Sequence, residues 1–203
     1  MTRRRAFTLI EVLVVVAIIG LLVAIAAPSI SEARRISKRT FCAHSLHQIG
    51  VGLESYLSSR GKDVFPYLCR MPSYAEATTP SGSQRLLSLP EGLAPELGAK
   101  SKVFECPADI VTESPMASMD GPTPPVPFGP RVGGRWFDSE GTSYEWTEQA
   151  NGLHRRTKKV TWRDIPIPLK DLPIVFDFEP FHGTPRQRGR SNTLYADLRV
   201  VTD

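Results

Sequence analysis

Residues 6–27 read AFTLIEVLVVVAIIGLLVAIAA and follow a short basic leader, residues 1–5. As a helix rising about 1.5 Å per residue, the run from Phe7 to Ala27 is about 30 Å long, the thickness of the hydrocarbon core of a bilayer. Glu11 is the only charged residue in that run. Because a carboxylate there costs about 2.5 to 3.5 kcal/mol on insertion scales, we expect the protein to use Glu11.

Two simpler interpretations of this segment compete. A secretory signal peptide also has a basic leader, an apolar core and an alanine-rich end, so a signal peptidase could cut near Ala24, Ala26 and Ala27. The apolar run is longer than the core of most signal peptides, however, and Glu11 would be unusual in one. A plain membrane anchor tolerates Glu11 near the interface but does not account for FTLIE directly behind the arginines.

The FTLIE segment at residues 7–11 closely resembles the amino terminus of type IV prepilins and type II secretion pseudopilins. The resemblance implies that a prepilin peptidase cuts between Ala6 and Phe7 and methylates the new terminus at Phe7. It also implies that Glu11 meets the terminal amine of a neighbouring subunit during filament assembly. The family usually has Gly before the cut, so Ala6 is expected to slow processing rather than abolish it.

The pattern after the apolar run favours a pilin-like α+β fold. From Ser29 to about Ser59, apolar residues recur at spacings of three and four, which predicts that the helix continues. Gly20 and Pro28 match positions where the family loosens this helix, and Pro28 is expected to kink it rather than end it. Beyond Gly61, short strand patterns among many prolines predict a small antiparallel β-sheet head packed on the long N-terminal helix.

These patterns divide the chain into four parts. We expect a leader peptide at residues 1–6, a transmembrane or filament-core helix at 7–27, a continuation of that helix at 28–60, and a globular head at 61–203 with a Pro-rich loop at 112–134. Gly50 and Gly52 should let the sheet approach the helix closely. The predicted strands are residues 102–106, 143–146, 159–162, 174–178, 192–195 and 198–201, the last two forming a hairpin.

Charge sets the expected location. Arg3, Arg4 and Arg5 should stay in the cytoplasm, which predicts a single-pass protein of the bacterial inner membrane with an extracytoplasmic head, later part of a periplasmic or surface filament. Processing removes these three arginines, so the net charge falls from +4 to +1 and nucleic acid is not an expected partner. The resemblance implies as partners the protein itself, other pilin-like subunits, the prepilin peptidase and the inner-membrane assembly platform.

Three motifs farther along the chain resemble a bacterial pilin-like subgroup. They are CxxxLxQIG at residues 42–50, CPxD at residues 106–109, and a terminal hairpin with Asn192, Leu194 and Asp197, preceded by His182. Members usually have Gly after the hairpin aspartate, whereas Leu198 stands there in this chain. The turn of the hairpin is therefore expected to differ.

Three cysteines, Cys42, Cys69 and Cys106, allow one disulfide in an oxidising compartment. From the residues alone, the pairs 42–69, 42–106 and 69–106 all stay open. The subgroup resemblance implies a Cys42–Cys106 disulfide, because these two lie in its motifs.

No cofactor is expected, although weak candidates for a Ca²⁺ site exist in the carboxylates of Asp177, Glu179 and Asp197. The simpler interpretation is that Asp177 and Asp197 stabilise turns and that His182 bonds to a neighbouring strand. Cys42, His44 and His47 lack zinc spacing, since residues 42 and 44 point to different sides of a helix.

The sequence has no nucleophile elbow, phosphate loop or recognisable catalytic triad, so we do not expect an enzyme. The prediction is a structural subunit, a pseudopilin or pilin-like protein of a type II secretion or type IV pilus-like filament. Secretion, pilus and DNA-uptake roles stay open within that class. The alternative is a membrane-anchored extracytoplasmic ligand-binding module that uses the pilin signal only for export.

Overall fold

A long N-terminal helix followed by a small antiparallel sheet makes up the chain, which confirms the predicted α+β architecture. The computed structural model describes residues 9–74, 78–79, 82–83, 85–98, 100–110, 134–178, 182 and 191–202. The chain divides into two compact units, Met1–Ser37 and Lys38–Asp203. The second unit, which contains the head, therefore includes the last part of the helix.

Helix α1 spans Leu9–Ser58 and passes through Pro28 without a break. In its first part the large apolar side chains from Leu9 to Ile25 are exposed. Exposing so much apolar surface to water is unfavourable. This part of the helix is therefore suited to contact with lipid or with other apolar helices. Among the described residues, α1 is the one helix long and apolar enough to cross a membrane.

The second part of α1 has one buried face, as the spacing predicted. That face consists of Cys42, Leu46, Ile49, Leu53 and Leu57. Each large side chain contributes about 1.5 to 3 kcal/mol when it is fully buried, so this stripe fixes the helix on the rest of the head.

The main sheet of the described residues has four antiparallel strands in the order β3-β6-β7-β8. Strand β3 is Tyr144–Trp146, β6 is Pro173–Asp177, β7 is Asn192–Tyr195 and β8 is Val200–Thr202. Five buried residues of the sheet join the apolar face of α1 in a single core: Tyr144, Trp146, Ile174, Val175 and Leu194.

The remaining α-helices and strands of the described residues are short. They are β1 (Thr78–Thr79), β2 (Gly82–Ser83), α2 (Leu89–Gly92), α3 (Ala94–Leu97), α4 (Trp136–Glu140), β4 (Lys159–Trp162) and β5 (Ile165–Pro168). Strands β4 and β5 form a separate hairpin. The two residues of its turn, Arg163 and Asp164, have φ angles of 48° and 65°, as primed hairpin turns require.

Two predicted strands differ in the structure. The prediction of a strand at residues 102–106 is wrong, because Lys102–Phe104 forms a 3₁₀ helix. The side chain of Ser101 caps this helix by accepting a hydrogen bond from the backbone N–H of Val103. The last strand begins at Val200 rather than at residue 198. Leu198 still belongs to the turn and has a left-handed φ of 67°, a conformation that favours Gly, the residue expected there from the subgroup resemblance. Of the Pro-rich loop at 112–134, only residue 134 lies within the described part of the chain.

Two glycines on α1 allow the close packing that the sequence predicted, but against different neighbours. A Cβ at Gly50 would lie 3.2 Å from Leu194 Cδ1 of the sheet. A Cβ at Gly52 would lie 2.6 Å from Leu97 Cγ of α3. Of these two glycines, Gly50 is therefore the one that lets the sheet approach α1, whereas Gly52 makes room for α3.

Substituting Gly52 with Val tests this packing. We expect Gly52→Val to lower the free energy of unfolding of the head by about 1 to 3 kcal/mol, since forcing extra atoms into a packed core costs that much. Urea titration of the full chain in detergent, followed by fluorescence of the buried Trp136 and Trp146, measures it. The exposed neighbour serves as the control: Val51→Ala should change stability by less than about 0.5 kcal/mol. An unchanged midpoint for Gly52→Val would contradict the close approach of Leu97.

Candidate functional site

Glu11 lies in the first turns of α1 on an otherwise apolar surface. Its side chain is exposed, and its neighbours there are Ile10, Val14 and Val15. A carboxylate in the first turn of a helix also interacts favourably with the helix dipole. The two residues of the predicted cleavage site, Ala6 and Phe7, lie outside the described residues. Gly20 and Pro28 both lie within α1.

In the head, the Cys42–Cys106 disulfide joins α1 to the loop that follows the 3₁₀ helix. The two Cα atoms are 5.2 Å apart, and both residues are fully buried. This is the pair that the subgroup resemblance implied. Cys69 is the free cysteine and is also buried, and burial raises the pKa of its thiol to about 11. At neutral pH that thiol stays protonated and unreactive.

The aspartate of the CPxD motif has a structural role. Asp109 is fully buried and accepts hydrogen bonds from the backbone N–H groups of Trp136 (3.0 Å) and Phe137 (2.8 Å) and from Ser143 Oγ (2.6 Å). Arg135, which precedes α4, provides no side-chain cap. Asp109 therefore caps this helix from a distant part of the chain.

A second buried carboxylate, Asp177, lies at the end of β6. Its Oδ2 accepts from the backbone N–H of Asn192 (2.7 Å) and from the Asn192 side-chain amide (3.2 Å). His182 Nε2 is 3.5 Å from the same oxygen and 3.6 Å from Cys106 Sγ. Burial raises the pKa of Asp177 to about 7 against the opposing hydrogen bonds from Asn192.

Thus residues of the three sequence motifs meet in one buried polar centre. Sequence reasoning expected His182 to bond to a strand, but it did not anticipate that the imidazole would lie beside the disulfide. The spacing of 76 residues between Cys106 and His182 carries no local pattern that could have predicted this.

The predicted calcium ligands are not brought together within the described residues. Asp177 contacts Asn192 at the start of β7, whereas Asp197 follows the end of β7. Asp197 accepts from the backbone N–H of Arg199 and, at 3.1 Å, from its guanidinium group. Glu179 lies outside the described residues. On α1, His44 is hydrogen-bonded to Gln48 at 2.8 Å.

Removing the cap of α4 should destabilise the head. We expect Asp109→Ala to lower the free energy of unfolding by about 2 to 4 kcal/mol, because three donors lose a charged acceptor in a buried position. Asp138 lies exposed in the first turn of the same helix, so Asp138→Ala is the matched control and should cost less than about 1 kcal/mol. Equal effects of the two substitutions in urea titrations would contradict the capping role of Asp109.

Comparison with known proteins gives one finding for this chain. The family described as the prokaryotic N-terminal methylation motif matches residues 1–27. Comparison with characterised proteins and with solved structures found no match. The matched residues include the leader, FTLIE and the apolar run, and residues 9–27 of the match form the first part of α1. The chain thus carries a prokaryotic N-terminal methylation motif at the start of a long helix, which is followed by a small antiparallel sheet, an arrangement consistent with a type IV pilin-like protein.

Proposed function

We propose that the protein is a structural subunit, a pseudopilin or pilin-like protein, of a type II secretion or type IV pilus-like filament. The observation that carries the proposal is the methylation motif at residues 1–27, which includes the beginning of a 50-residue helix, Leu9–Ser58. A helix of this kind can lie in the membrane before filament assembly and pack against other helices afterwards. The same motif supports processing of the chain by a prepilin peptidase.

Maturation would begin in the inner membrane. The leader with Arg3, Arg4 and Arg5 stays in the cytoplasm and the head lies outside, in keeping with the positive-inside rule. Prepilin peptidase then cuts between Ala6 and Phe7 and methylates Phe7. The mature subunit engages the inner-membrane assembly platform and other pilin-like subunits, and becomes part of a periplasmic or surface filament.

Glu11 gives this assembly its specificity. Apolar helices gain little from packing against each other in lipid, because lipid tails are just as apolar as their side chains. A carboxylate on an apolar helix is costly in that environment, whereas an opposite charge close to it attracts strongly. The cationic terminal amine at Phe7 of a neighbouring subunit would supply that charge. The pair would fix the axial position of one helix against the next.

Substituting Glu11 with Ala tests this mechanism. We expect Glu11→Ala to leave membrane insertion intact but to abolish filament formation, because no carboxylate remains to pair with the amine. Filaments sheared from cells that carry the assembly machinery, and immunoblots of the membrane fraction, measure the two steps. The control is Glu32→Ala: Glu32 is an exposed carboxylate on the same helix but outside the apolar run, and it pairs with Arg35 at 2.7 Å. We expect this variant to assemble normally.

Normal assembly of Glu11→Ala would contradict the pairing mechanism. If the wild-type chain is inserted and processed, never enters a filament, and its head binds a ligand stoichiometrically, the alternative of a membrane-anchored extracytoplasmic binding module replaces the structural subunit.

A further inference from the structure

The disulfide in the head lies beside a buried imidazole. Cys42 Sγ, Cys106 Sγ and a ring nitrogen of His182 all lie within 4.8 Å of one another, and all three residues are buried. The His182 Nε2 atom faces Cys106 Sγ at 3.6 Å and Asp177 Oδ2 at 3.5 Å. One nitrogen is thus directed between a sulfur and a carboxylate oxygen.

These distances suit a tetrahedrally coordinated cation once the disulfide is reduced. Zinc bonds of about 2.3 Å to sulfur and about 2.0 to 2.1 Å to nitrogen put the two ligand atoms about 3.6 Å apart at a tetrahedral angle. Cys106 Sγ and His182 Nε2 already have this separation. The two sulfurs must move apart to about 3.8 Å by the same geometry. The Cα atoms, 5.2 Å apart, leave room for that movement by side-chain rotation.

We propose that reduction of the Cys42–Cys106 disulfide converts this centre into a binding site for one thiophilic divalent cation such as Zn²⁺, held by Cys42, Cys106 and His182. Thiolate and imidazole are the ligands that zinc prefers, whereas calcium prefers oxygen. Asp177 Oδ2, which lies 3.5 Å from His182 Nε2, is the candidate for the fourth position.

Metal uptake at this site is controlled by redox chemistry. An external dithiol reductant donates two electrons and two protons, which break the Sγ–Sγ bond and give two thiols, while the dithiol becomes a disulfide. The cation then displaces the two thiol protons and binds two thiolates. In an oxidising compartment the disulfide keeps the site closed. The site thus responds to the thiol reductant around the head and goes beyond the proposed filament role.

Co²⁺ is the probe that tests this site, because tetrahedral cobalt–thiolate centres absorb strongly. The full chain in detergent is titrated without oxygen, once as isolated and once after reduction. We expect the reduced protein to bind one Co²⁺ per chain with a thiolate-to-cobalt charge-transfer band, which Zn²⁺ then displaces. The oxidised protein keeps its exposed histidines and should show no such band.

Variants identify the ligands. His182→Gln should weaken Co²⁺ binding at least about tenfold while the thiolate band persists, and Cys106→Ser should remove the tight site. Cys69→Ser is the matched control, since Cys69 is buried elsewhere and should not change the titration. Near-ultraviolet circular dichroism checks that each variant folds.

Three results would overturn the proposal. One is a reduced wild-type chain that gives no charge-transfer band, whether it is folded or not. Another is a folded His182→Gln variant with unchanged affinity. The third is loss of the band in Cys69→Ser.

Discussion

A single continuous helix has to satisfy two environments, and the rest of the structure depends on this constraint. From Leu9 to Ile25 the helix α1 exposes apolar side chains around its circumference. From Cys42 to Leu57 it buries one stripe against the sheet and exposes its other face. The first pattern needs lipid or other apolar helices around it, and the second needs a head. The filament subunit that we propose would use both patterns.

Within the head, interactions between distant parts of the chain involve two buried carboxylates and a buried disulfide. Asp109 caps α4, Asp177 holds the start of β7, and the disulfide links α1 to the loop before Asp109. The hydrogen bonds of the two aspartates are costly to break, since buried donors then lose their acceptor, and the disulfide adds a covalent link between two parts of the chain. They therefore fix the loops around the sheet, where the small apolar core alone would leave them loosely held.

The sequence predicted the elements that depend on local pattern. The apolar run, the stripe on α1 and the strands around residues 144–146, 159–162 and 192–195 follow from periodicity. The strand prediction failed at residues 102–106, where capping by Ser101 favours a 3₁₀ helix over a strand. The sequence could not place His182 beside Cys106, because no local period connects residues so far apart. The calcium hypothesis drew its oxygen ligands from two loops, and the structure places two of these ligands, Asp177 and Asp197, at opposite ends of β7.

The most direct test of the proposed filament role is the intact mass and N-terminal sequence of the protein expressed together with its prepilin peptidase. We expect the chain to begin at an N-methylated Phe7, with residues 1–6 removed. A chain that begins after Ala27, or one that keeps its leader in the presence of active peptidase, would contradict the assignment of the amino terminus as a filament-assembly signal. The head would then belong to a secreted or anchored protein.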